Sequence, residues 1–142
     1  MTKLIYATKA NLGGLCTRTN VRIRAYKVVT SKWTPPTFPE KRPELRYFVG
    51  SVVKEHHYSK SNASCASGLN VATLPWCMRQ RKAHGMYRPS KDRFRLIVVE
   101  FLPADIVATP RGWMGPKGKF RVKALKVIKQ VTWKWAKQKV AR

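Results

Sequence analysis

The chain has 142 residues, carries 30 Lys and Arg against 6 Asp and Glu, and so holds a formal net charge of +24. That length suits one domain, and a hydrophobic share of 44 % can build a core, which excludes a simply disordered polycation. No run approaches the roughly 18 apolar residues of a membrane-spanning helix, and the opening Met1-Thr2-Lys3-Leu4-Ile5-Tyr6 lacks the apolar stretch of a signal peptide, so a cytosolic protein is expected.

Residues 1–20 mix Lys3, Lys9 and Arg18 with Gly13 and Gly14 and read as an N-terminal extension, with a short strand candidate at Leu4 to Ala7. Val21 to Thr30 then alternates, Val21, Ile23 and Ala25 on one side and Arg22, Arg24 and Lys27 on the other, as a half-buried strand does. Residues 31–43 hold Pro35, Pro36, Pro39 and Pro43 and form a loop, because proline removes backbone donors. Leu45 to Lys54 is β-branched and aromatic, a strand or two short strands hinged at Gly50.

His56 to Gly68 is rich in Ser and Asn and reads as a surface loop. Leu69 to Ala72 is a short strand, after which Thr73 caps a helix running to about residue 84, with Pro75 in its first turn and Gly85 at its end. Arg93 to Leu102 is the most apolar segment and the expected central strand. Pro103-Ala104-Asp105 makes a turn or single helical turn, Ile106 to Ala108 is short and apolar, and residues 109–118 form a Gly/Pro-rich excursion.

Lys119 to Trp135 alternates in two phases, first Phe120, Val122 and Ala124, then Leu125, Val127, Val131, Trp133 and Trp135. A β-bulge near Ala124 and Leu125 reconciles the two. The expected fold is α+β over residues 21–135, with a single mostly antiparallel sheet, one main helix at about 73–84, and a basic tail at 136–142.

Several of these segments occur in a known order. Cys65-Ala66-Ser67-Gly68-Leu69-Asn70-Val71, the strand and turn from Leu96 to Pro110, and Lys119-Phe120-Arg121-Val122 through Ile128 follow one another along the chain. With Ala25-Tyr26-Lys27-Val28 and Tyr47-Phe48-Val49-Gly50, this set resembles a family of small tailed-phage proteins, including ones labelled rIIB-like, whose biochemical role is poorly defined. Their elements are C-x-x-G-L-H-V, V-x-V-x-P-x-D-V-V-x-V-P and K-x-R-V-x-x-Y-x-V. The resemblance spans about residues 21 to 131 and implies a bacteriophage origin and a compact α+β fold. Asn70 stands where that family has histidine, which argues against any activity needing the imidazole. The excess of Lys and Arg is the second departure.

Cys16, Cys65 and Cys77 make neither an even disulfide set nor a C-x-x-C pair, and with His56, His57 and His84 they lack zinc-site spacing. Small buried thiols in a reducing compartment, with no metal and no cofactor, are expected. A strand leading from Gly68-Leu69-Asn70 into a helix loosely resembles ADP-ribosyltransferase-like folds, but no acid follows Asp105. Glu100 on a central strand reads as a salt-bridge partner, His84 as a helix-end cation, and no catalytic residue is assigned.

Charge and aromatics point elsewhere. From Lys117 to Arg142 there are ten Lys or Arg and no acid. Lys119, Arg121, Lys123, Lys126, Lys129, Lys134 and Lys137 are the expected phosphate contacts, joined by Arg79, Arg81, Lys82 and Arg88 around the helix end. Trp113, Trp133 and Trp135 are the aromatic contact candidates, the last two equally readable as the packed end of a strand. Without a helix-turn-helix, zinc finger or RNP-type motif, sequence-specific base reading is not supported. The expected partner is DNA or RNA bound without sequence preference. The competing expectation is an acidic host protein or a ribonucleoprotein, met in the cytoplasm of an infected bacterium or from the virion.

Overall fold

The computed structural model describes residues 2–35, 45–56, 58, 60, 68–83, 94–109, 111–112, 115–116 and 118–140. Its strands are β1 (Lys3–Tyr6), β2 (Val21–Thr30), β3 (Val52–Lys54), β4 (Leu69–Ala72), β5 (Phe94–Phe101), β6 (Ile106–Ala108), β7 (Arg111–Gly112), β8 (Gly115–Pro116), β9 (Lys119–Val122) and β10 (Ala124–Val131). The helices are α1 (Leu74–Ala83) and α2 (Trp133–Val140), with 3-10 turns at Leu12–Thr17 and Pro103–Asp105. The α+β class and the mostly antiparallel sheet agree with the sequence: among the described residues eight strands share one sheet, in the order β3-β10-β5-β2-β4-β9-β6, and β1 adds to β2 in parallel. β7 and β8 form a separate small hairpin.

β2 and β5 pair from Ile23 opposite Phe101 to Thr30 opposite Phe94 and form the middle of this sheet. Since β5 takes one edge of β2, β1 and β4 must share the other, β1 beside Val21 to Arg24 and β4 at Tyr26 opposite Ala72. β9 and β10 are separated by Lys123 alone, yet they stand four places apart in the strand order. In a flat sheet four steps span about 19 Å, whereas Val122 and Ala124 can be no more than about 7.6 Å apart along the chain. The sheet must therefore curl until its ends meet. They meet at Lys123: its N–H donates to the Asp105 carbonyl at 2.8 Å, just before β6, and its carbonyl accepts from the Glu55 N–H at 2.9 Å, just after β3.

This curl gives the sheet an inside and an outside. Buried side chains from strands at both ends and the middle, including Ile23, Ala25, Val53, Val71, Val99, Val122 and Val127, form one cluster, and only the inner face can bring them together. Ala7, Leu12 and Leu15 belong to this cluster, so residues read as an extension are part of the core. The outer cluster is narrower: Tyr26, Val28, Leu96, Val98 and Ala72 from the sheet, Leu74 and Cys77 from α1, and Ala136 from α2.

Some elements differ from expectation. Within Leu45 to Lys54 only Val52–Lys54 is strand, because the chain turns at Val49 and Gly50. The expected bulge near Ala124 is a corner at Lys123, and the register shift of β10 falls instead between Val127 and Lys129. Residues 133–140 continue neither as strand nor as tail. Thr132 accepts the Trp135 N–H on its hydroxyl at 3.0 Å and starts α2, placing Trp133 and Ala136 on one helical face. α1 agrees with the expected helix, Thr73 accepting the Trp76 N–H at 3.4 Å, and Pro103–Asp105 is the expected helical turn. His84 and Gly85 lie outside the described residues.

Gly68 enters β4 with φ of +131°, and a Cβ there would lie 2.5 Å from Cδ of Arg121. Gly68→Ala is expected to lower stability by about 2–3 kcal/mol, through backbone strain and displacement of a fully buried arginine. Urea unfolding measures it; an unchanged midpoint contradicts the packing.

Candidate nucleic-acid interface

The expected phosphate contacts divide into buried and exposed groups. On β9, Lys119 and Arg121 alternate with the inward Phe120 and Val122 and so turn outward, but the outer face is covered there. Lys119 is buried with its Nζ 5.6 Å from the Trp76 ring centroid, which belongs to α1. Arg121 is 0 % exposed and donates from Nε to Oδ1 of Asn70 at 3.3 Å, its stem lying under Gly68. Neither side chain is at the surface to meet a phosphate. Alternation identified the polar face of the strand, but Trp76 of α1 lies against Lys119 there, and Asn70 and the Gly68 backbone enclose Arg121.

Lys123 is half-buried at the corner, while Lys126 and Lys129 on β10 and Lys134 and Lys137 on α2 are exposed. The four exposed lysines follow one another along a strand, a cap and a helix. Arg79 is exposed on α1; the side chains of Arg81 and Lys82, and all of Arg88 and Trp113, lie outside what is described. Trp133 belongs to the packing: it is partly buried against the outer cluster, and its Nε1–H donates to the Phe94 carbonyl at 3.1 Å. Trp135 is 37 % exposed, its ring centroid 6.4 Å from that of Tyr26.

Register reveals a second set of residues. Lys126 pairs with Glu100, Glu100 with Arg24, and Arg24 with Tyr6, so four side chains stand in one row across β10, β5, β2 and β1. Arg24 and Tyr26 share a face of β2, and Tyr26 is in the outer cluster, so this row lies on the outer face. Arg24 Nε donates to Glu100 Oε1 at 3.0 Å, and Arg22 contacts both carboxylate oxygens at 3.3 Å. Glu100 first, and Tyr6 second, hold the Arg24 guanidinium above its ordinary value. An open hollow of about 220 Å³ lies beside the row, with Arg22, Glu100, Asp105 and Lys126 around it and Val52 and Leu102 on its walls.

Both carboxylates in this hollow have structural work. Glu100 is the salt-bridge partner that its position suggested, and Asp105 accepts the Leu102 N–H at 3.0 Å. Asn70 is likewise engaged, taking Arg121 on its side chain and Lys27 Nζ on its carbonyl. Among the described residues no group of three His, Cys, Asp or Glu could hold a metal, and no helix is long and apolar enough to cross a membrane. Cys77 is buried, its thiol pushed up to about 12 by that burial, whereas Cys16 is exposed; Cys65 lies outside the described residues. No family model, curated protein or solved structure matches the chain.

Sequence reasoning missed the row because its members are far apart in the chain, and it placed Lys27 on the polar side of β2. Lys27 is instead buried, its Nζ 4.9 Å from the Tyr47 ring centroid in the inner cluster. Burial first, then Lys119, lowers its amine from 10.5 to about 7. Between these values the unfolded chain holds more protons, so stability rises with pH across that window and the penalty is full below about pH 7. Lys27→Met is expected to stabilise the protein by about 1–3 kcal/mol at pH 6, the gain shrinking as pH approaches 10.5. Denaturant unfolding of both proteins across pH checks this; a gain independent of pH contradicts it.

Proposed function

We propose that this chain is a phage-encoded, non-enzymatic basic protein that binds DNA or RNA through the phosphate backbone in the cytoplasm of an infected bacterium. The observation that carries the reading is the succession of exposed Lys126, Lys129, Lys134 and Lys137 on one strand-to-helix unit, in a chain with a net charge of +24. A net charge of that size destabilises a compact domain by self-repulsion, where small soluble domains need only about 2–8. Phosphates relieve that repulsion on binding and release counterions. The structural engagement of Glu100 and Asp105 supports a binding role over a catalytic one. The ordered resemblance to tailed-phage proteins supports the proposed origin.

Lysines on a strand and a helix neutralise phosphates without reading base edges, so affinity is sequence-independent and falls steeply with salt. Replacing Lys126, Lys129, Lys134 and Lys137 together by Gln is expected to flatten the slope of log K against log salt on duplex DNA by about 3 to 4. Fluorescence anisotropy over a salt series measures the slopes. An unchanged slope removes these residues from the interface. No binding to DNA or RNA at low salt, with salt-sensitive binding to polyglutamate instead, overturns the proposal in favour of an acidic protein partner.

A further inference from the structure

The outer face of the curled sheet is covered over only part of its width. α1 and α2 pack over Tyr26, Val28, Leu96 and Val98, while the row of Lys126, Glu100, Arg24 and Tyr6 lies one step along β2, and Lys126 and Tyr6 in it are exposed. Along this boundary three aromatic rings stand in succession. Tyr6 and Tyr26 are stacked with centroids 6.1 Å apart, and Tyr26 meets Trp135 at 6.4 Å. Tyr26 is 5 % exposed as a residue, and Tyr6 and Trp135 are 39 % and 37 % exposed.

We infer that Tyr6, Tyr26 and Trp135 form a base-stacking platform, and that the nucleic acid taken up here is single-stranded. This rests on the phosphate-binding reading above and names its substrate class. Burial raises the Tyr26 hydroxyl to about 12, so the central ring stays neutral and serves as the support between its neighbours. Tyr6 and Trp135 come from opposite ends of the chain and are large apolar residues left exposed, a cost that a stacked base removes.

The cations are placed to complete such a site. Arg24 is held beside Tyr6 by Glu100, Arg22 joins the same carboxylate with 43 % of its side chain exposed, and the exposed Lys139 stands one helical turn after Trp135 on the same face of α2. An exposed aromatic surface bordered by lysine and arginine is what sequence-tolerant single-strand binders use, since every base has a ring face to stack. A duplex keeps its bases stacked internally and meets a protein surface with phosphates and groove edges. An acidic peptide would use the cations and leave the ring faces without a role. The platform therefore predicts a preference that charge alone does not produce.

The test compares a labelled oligothymidylate of about twenty nucleotides with a duplex of equal length, by anisotropy, on the intact protein at two salt concentrations. Wild type is expected to favour the single strand. Trp135→Leu, which keeps an apolar contact with Tyr26, and Tyr6→Ala, on a strand with a single sheet partner, are each expected to weaken single-strand binding by about tenfold while changing duplex binding less than about twofold. Trp135→Phe is expected to restore most of the loss. Thermal unfolding of each variant establishes that it is folded, and Tyr6→Ala decides the matter if Trp135→Leu is not. Single-strand affinity unchanged in the folded aromatic variants, with both substrates weakened by the lysine replacements, overturns the platform and leaves the phosphate reading standing. Failure of wild type to bind either substrate at low salt overturns both.

Discussion

The corner at Lys123 is the constraint on which the rest of this structure depends. One residue joins strands that stand four places apart in the sheet, and its two backbone hydrogen bonds tie the ends of β3 and β6 to the same point. The sheet has no choice but to curl. An inner face filled from both ends and the middle, plugged by Leu12, Leu15 and Tyr47, follows from that curl, as does an outer face left to the helices. Because α1 and α2 are only ten and eight residues long, they cover part of this outer face and leave the Lys126 to Tyr6 row beside them.

The same geometry sorts the charge. The cations of β9 are absorbed into packing: Lys119 lies against Trp76 of α1, and Arg121 against Asn70 and Gly68. Lys27 enters the inner core and carries a desolvation penalty that lowers its proton affinity. Beyond the helices, cations stay in water, and one carboxylate, Glu100, organises Arg22 and Arg24 without neutralising the region. Ion pairs of this exposure add at most about 1 kcal/mol of stability. Their larger effect is to fix guanidinium groups beside an exposed tyrosine.

Local pattern carried much of the fold. β2, β4, β5, the Thr73-capped helix and the Pro103–Asp105 turn were legible because alternation, capping chemistry and proline act over a few residues. The C-terminal helix was not, since Trp133 and Trp135 continue the odd-numbered phase of β10 and tryptophan favours strands. The competing signals, the Thr132 cap and the three-residue spacing of Trp133 and Ala136, lay in the same stretch. Of the site, exposure of Lys126, Lys129, Lys134 and Lys137 agreed with the pattern, whereas the burial of Lys119 and Arg121 depended on residues distant in the chain, Trp76 of α1 together with Gly68 and Asn70. Tyr6, Tyr26 and Trp135 come into succession only through strand register and the packing of α2, which no short-range signal encodes.

Single-strand binding along the outer face is tested most directly by mapping backbone amide shifts by NMR as the protein is titrated with a short single-stranded oligonucleotide. The largest saturable shifts are expected at Tyr6, at Arg22 and Arg24, along Lys126 to Lys129, and in the first turns of α2, with Phe120 to Val122 unmoved. Shifts centred on Phe120 to Val122, or no saturable shift at low salt, would contradict such binding.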